Sequence, residues 1–158
     1  MPGPWKIVDL DPEEPFRAAL GKVLAGWLQQ TLSYAPATLK GKDPQALHNM
    51  RVSALRLRAL MRLHKENFPA RALRRRLRDL RRLIRALGPV REIDVFQVEL
   101  RKLAAEAPPA ERVALRWLMA EQEVRRERLR GPMKDSVRRF QGEPSRRRFE
   151  RLIAESLQ

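Results

Sequence analysis

Apolar residues recur along this chain at intervals of three and four, and they rarely alternate with polar ones. That spacing predicts helices and gives strands little support. Breakers divide the pattern. Asp11-Pro12 opens a first helix through about Ser33, with Leu20, Val23, Leu24, Trp27, Leu28 and Leu32 on its apolar face. Pro36 to Pro44 reads as a loop. Asp43 at its end is a good N-cap, with Pro44 at the first helical position. A second helix runs from about Pro44 to Glu66, its core face marked by Leu47, Met50, Ala54, Leu57 and Met61. A third runs from about Ala70 to Leu87 on Leu73, Leu77, Leu80, Ile84 and Leu87, and Gly88-Pro89 is expected to stop it. A fourth starts near Val90 with Ile93, Phe96, Leu100 and Leu103. After a turn at Ala107-Pro108-Pro109, a fifth runs from about Ala110 to Leu129, kinking at Gly131-Pro132 toward Phe140. Gly142 to Ser145 breaks the chain before a last short helix with Phe149, Leu152, Ile153 and Leu157.

The predicted fold class is therefore all-α: an antiparallel helical bundle of four main helices plus shorter ones. Residues 1–10 read as an N-terminal extension and residues 11–158 as a single helical domain. The 158 residues suffice for one hydrophobic core, and a hydrophobic content of 43% argues against a disordered polycation. Cysteine is absent, which removes disulfides, thiol catalysis and Cys-ligated metal sites. No apolar run approaches the roughly 20 residues of a membrane helix. The first ten residues lack a signal-peptide pattern. The expectation is a soluble, cytoplasmic protein with an anionic partner.

Charge sharpens the picture. The chain has 34 Lys and Arg against 19 Asp and Glu, a net charge of +15. Residues 51–91 hold 14 of those bases and only two acids, Glu66 and Asp79, so this one stretch carries most of the excess. Like charges at such density oppose compaction unless an anion neutralises them. Arginine dominates, and its planar fork suits phosphate oxygens better than lysine does.

The bases also fall into rows. At about 100° per residue, His48, Arg51, Arg58 and Arg62 lie within roughly 80° of one another, over about 21 Å of the second helix. The stripe borders that helix's core face. On the third helix Arg71, Arg75, Arg78, Arg82 and Arg85 form one row, and Arg74, Arg81 and Arg85 flank the leucines from the other side. If the two helices form a hairpin, these rows converge on one basic strip. A pocket of a few arginines suits a single phosphate, whereas a strip over several turns suits a polymer of phosphates, bound largely through counterion release. His48, among these cations, can donate to a phosphate oxygen once charged. His64 falls elsewhere on the helix and reads as structural.

Two stretches resemble the CHAD family, the conserved histidine α-helical domain. Leu47-His48-Asn49-Met50-Arg51-Val52-Ser53-Ala54-Leu55-Arg56-Leu57-Arg58 is similar to the family's H-x-x-R-V-x-x-x-R-L-R. Leu83 to Val95, with Leu87-Gly88-Pro89-Val90-Arg91-Glu92-Ile93-Asp94-Val95, is similar to L-x-x-x-L-G-x-V-R-D-x-D-V. Ser145-Arg146-Arg147-Arg148-Phe149 resembles the S-x-R-F that closes the family's first half. The resemblance implies one half of a CHAD domain and non-enzymatic binding of inorganic polyphosphate, with location in the cytoplasm or at polyphosphate granules. It nominates His48, Arg51, Arg56, Arg58, Arg85 and Arg91; the rows add Arg62, Arg75, Arg78 and Arg82. A basic position common before Arg56 is Leu55 here, and the family's Arg-Asp-x-Asp is Arg91-Glu92-Ile93-Asp94. Family members have two helical halves, and this sequence shows one, so pairing of two chains to rebuild a double bundle around a basic channel is a further expectation.

Other readings carry less. A nucleic-acid-binding helical protein shares the charge, but single-strand binders add stacking aromatics, and residues 51–91 contain only Phe68. Phosphoryl-transfer chemistry needs acids that hold metal ions, and the basic stretch holds almost none. Neither a cofactor nor a metal is expected. Glu92 and Asp94 read as first-turn acids that complement a helix dipole and orient Arg91. Glu121-Gln122-Glu123-Val124-Arg125 resembles the E-x-E-x-K of triphosphate tunnel enzymes, but lies on a predicted helix and reads as coincidence. The leucine rows have one another to pack against, so no membrane partner is expected.

Overall fold

The computed structural model describes residues 10–157, so the predicted extension falls outside the described residues except for Leu10. The described chain is all-α, as its periodicity predicts. Four main helices are α1 (Phe16–Ser33), α3 (Pro44–Leu63), α4 (Ala70–Glu106) and α5 (Pro109–Gln141), with the shorter α2 (Ala35–Lys40) and α6 (Glu143–Ser156). A single 3-10 turn, Lys65–Asn67, links α3 to α4.

Four boundaries differ from expectation. The first helix begins at Phe16, four residues beyond Pro12. The expected loop from Pro36 contains α2, which ends on Gly41 in the left-handed region at φ 73°. Gly142 alone separates α5 from α6. The largest difference is at Gly88-Pro89, where one 37-residue helix continues in place of two. Pro89 cannot donate to the Arg85 carbonyl, a loss of about 3 kcal/mol in an isolated helix. Leu83, Leu87, Val90 and Ile93 nevertheless stay in phase across the break, and all four are buried. Their burial, each worth about 1.5–3 kcal/mol, outweighs the proline. α5 crosses Pro132 in the same way, on buried Met133, Val137 and Phe140.

The core gathers Leu24 and Leu28 of α1, Met50, Leu57 and Met61 of α3, Leu80, Leu83 and Leu87 of α4, and Phe149 of α6. Phe140 and Phe149 meet edge-on with ring centroids 5.5 Å apart, closing α6 onto α5. α3 lies between α1 and α4. Buried Ser53 of α3 faces Thr31 of α1, with the hydroxyls 3.0 Å apart. The opposite flank of α3 is left for α4, and that flank carries the stripe.

Candidate functional site

The start of α3 is fixed by contacts from two directions. The Asp43 carboxylate accepts from the Gln45 amide at 2.9 Å, capping the helix. Just before it, the carbonyls of Leu39 and Lys40 each accept from Arg130 Nη2 at 3.2 Å, and the Gly41 carbonyl accepts from Arg126 Nη2 at 3.4 Å. Cations at the last carbonyls of α2 satisfy groups that the helix leaves unpaired. Arg126 is itself held by Asp94, Nε to Oδ1 at 2.6 Å, with both side chains buried. Asp94 therefore anchors Arg126 of α5 and does not orient Arg91 as the sequence suggests. Glu92 is exposed.

From this anchored start α3 presents His48, Arg51, Arg58 and Arg62 along its flank toward α4. The structure brings them to part of the predicted α4 set. Gly88 of α4 lies against Arg51, whose Nε is 3.9 Å from where a Cβ at position 88 would sit. His48 titrates below its ordinary range, first because it is partly buried and then because Arg91 and Arg51 repel its charged form. Arg58 is likewise held below the usual guanidinium range by burial and by the neighbouring charges of Arg62, Arg81 and Arg85. At the interhelical turn, Arg62, Lys65 and Arg74 ring a cavity of about 370 Å³ floored by Leu73 and Leu77. The strip thus runs from His48 and Arg91 through Arg51, Arg58, Arg81 and Arg85 to Arg62 and Arg74.

Arg75 and Arg82 leave this strip. Helical phase turns them to the other side of the α4 leucines. There Arg75 lines a cavity of about 260 Å³ with Arg76, Arg148 and Arg151, and Arg82 lines a groove with Arg139, Ser145 and Arg148. Arg78 is exposed between the two sides. Arg56 is turned away as well, its guanidinium 4.8 Å above the Trp27 ring of α1. The α4 row that faces α3 is Arg74, Arg81 and Arg85. Arg74 and Arg81 were thus missing from the nominated set, although their spacing against the leucines was visible. His64 closes α3 as its C-cap, with its ring edge-on to Phe16 at 5.3 Å.

Among the described residues the strip lacks counter-charge, as do scattered surface arginines such as Arg116 and Arg139, but its cations are gathered along one flank. Arg126, Arg130, Arg138, Arg146, Arg147 and Arg151 each pair with a carboxylate. Among the described residues no carboxylate lies within ion-pair distance of His48, Arg51, Arg58, Arg62, Arg74, Arg81, Arg85 or Arg91. The Nε atoms of Arg51 and Arg58 are buried with no hydrogen-bond partner. Buried guanidinium nitrogens without acceptors are costly, a condition that Arg76 and Arg130 share outside the strip; the Nη atoms of Arg51 and Arg58 are not buried, and it is these that an incoming anion reaches. No group of acids and histidines capable of holding a metal ion occurs among the described residues. The Glu121 to Arg125 segment is helical, within α5.

Fold and site together define a helical bundle with an uncompensated cationic strip along one hairpin. The family model for the CHAD domain matches residues 22–158, and the chain belongs to that family. No curated protein and no solved structure matches it. No helix among the described residues is long and apolar enough to cross a membrane.

Proposed function

We propose that this protein binds inorganic polyphosphate, without chemical turnover, along the α3–α4 strip. CHAD domains in general bind polyphosphate, which makes it the natural ligand class for this one. The observation that carries the reading is the pair of buried, partnerless Nε atoms of Arg51 and Arg58 amid six further cationic or proton-accepting side chains with no acid beside them. Phosphate oxygens that meet the Nη atoms of the same guanidinium groups supply the missing counter-charge. A chain of phosphates reaches several guanidinium groups at once and gains affinity from the counterions it releases. His48 reinforces this when protonated against a bound oxygen.

The reading is tested by competition. Unlabelled polyphosphate should displace a labelled polyphosphate from the protein at lower phosphate concentration than single-stranded RNA or DNA does. Equal displacement by nucleic acid would favour a general nucleic-acid-binding role. Incubation with polyphosphate and Mg²⁺ should release no orthophosphate above background; sustained release would make the protein an enzyme.

A further inference from the structure

The second half of α4 and the first half of α5 form a two-helix arm with apolar residues uncovered on both helices: Val95, Phe96, Val98 and Leu103 on α4, and a regular row on α5. No residue of α5 before Arg126 is buried. Within that stretch Leu115, Leu118, Met119 and Gln122 are half-buried, and the Met119 carbonyl accepts from the Gln97 side chain at 2.8 Å. These residues mark the face turned to α4. Val113, Trp117, Ala120 and Val124 step by four, three and four along the opposite side, about 180° away at 100° per residue. Val113 is 62% exposed, Trp117 67% and Val124 49%. A row at this spacing is the seam of a helix pair, and here one helix of the pair is missing.

We propose that this row is a two-fold, antiparallel interface with a second copy of the same chain. The row is complementary to itself. Rotation about the midpoint between Trp117 and Ala120 places Trp117 over Ala120 of the second copy and Val113 against Val124, so the largest side chain meets the smallest. The flank agrees in charge. Arg116 has no ion pair or hydrogen bond among the described residues, and the rotation sets it opposite Glu123 of the second copy, twice by symmetry. A parallel pairing would stack Trp117 on its own copy. It would also bring two bodies of net charge +15 side by side, whereas the antiparallel one leaves them at opposite ends. The seam is about 17 Å long, so the dimer is reversible and concentration-dependent.

Sedimentation equilibrium of the whole chain without any polyanion tests this independently of the polyphosphate reading. The wild-type mass should rise from 18.4 kDa toward twice that value between low and high micromolar concentration. Trp117→Glu should remain monomeric throughout with unchanged helical circular dichroism, because the side chain is exposed. Arg116→Glu should raise the dissociation constant about tenfold, and adding Glu123→Arg should restore it. A wild-type protein that stays monomeric, or a Trp117→Glu variant that dimerises like wild type, overturns the proposal. Restoration by Glu121→Arg in place of Glu123→Arg overturns the antiparallel register.

Discussion

Gly88 and Arg51 face each other across the α3–α4 contact, a Cβ's breadth apart. A Cβ on residue 88 would lie 3.9 Å from Arg51 Nε, in ordinary van der Waals contact. Gly88 sits within the long helix α4 directly before Pro89, where a Cβ crowds the proline ring and offsets the roughly 1 kcal/mol by which alanine is the better helix former. Gly88→Ala should therefore change the melting temperature little and leave polyphosphate affinity near wild type. Gly88→Leu fills the space over the Arg51 guanidinium and should weaken binding several-fold. Thermal melts and a binding titration on both variants check the pair of outcomes.

The two sides of α4 make separable predictions. Arg81→Ala with Arg85→Ala removes two cations that bear on Arg58 and should weaken polyphosphate binding strongly. Arg75→Ala with Arg82→Ala removes the same formal charge from the side shared with α6, and should cost clearly less. Equal losses in a binding titration would mean that only net charge matters and that the strip has no geometry.

His48 gives the site a pH signature with two opposite signs. Its folded-state value lies below the ordinary 6.5, so the unfolded chain binds the proton more readily. Without ligand, His48 therefore contributes stability that is present above pH of about 6.5 and is lost as pH falls through its lowered folded value. A bound phosphate oxygen favours the charged ring, so binding takes up a proton and affinity rises as pH falls through that same range. His48→Gln should flatten both trends in urea melts and binding titrations across pH 5 to 8.

Removing ligand-site charge should stabilise the unliganded fold. Arg58 is partly buried among like charges with its Nε unpartnered, so Arg58→Leu should raise unfolding free energy by about 0.5–1 kcal/mol while lowering affinity. Chemical denaturation with and without polyphosphate reads both effects.

Asp94 is a structural acid and should behave as one. Asp94→Asn takes the buried carboxylate from Arg126 and leaves it only the exposed Glu123 and Glu127, at 3.7 and 3.6 Å from Nη1, at a cost of about 1–3 kcal/mol. For a chain of this size that is a fall of several degrees in melting temperature. Glu92→Gln, at an exposed position, should change stability by less than about 0.5 kcal/mol. Calorimetric scans distinguish the two.

Much of this arrangement was legible in the residues. The 3–4 spacing of Leu47 to Met61 and of Leu73 to Leu87 fixes which sides of α3 and α4 are buried, and with them the flank that holds His48, Arg51, Arg58 and Arg62. Gly88-Pro89 misled because breaker residues weigh heavily in isolated helices. The unbroken phase from Leu83 through Ile93 was the contrary signal, and burial decided it. Which α4 row meets α3 depends on how the hairpin rolls. That roll is set by tertiary packing against α5 and α6, beyond what a single helix projection contains. Arg56 on Trp27 and Asp94 on Arg126 are likewise long-range pairings with no local spacing to announce them.

The strip's role is tested most directly by the salt dependence of polyphosphate affinity for wild type and for Arg51→Ala/Arg58→Ala, at matched helical content. The double variant should bind more weakly, and its log–log slope against salt should be shallower by about 1.4, two phosphate contacts at roughly 0.7 each on a flexible polyanion. An affinity and a slope both equal to wild type would contradict the assignment of these guanidinium groups to the ligand.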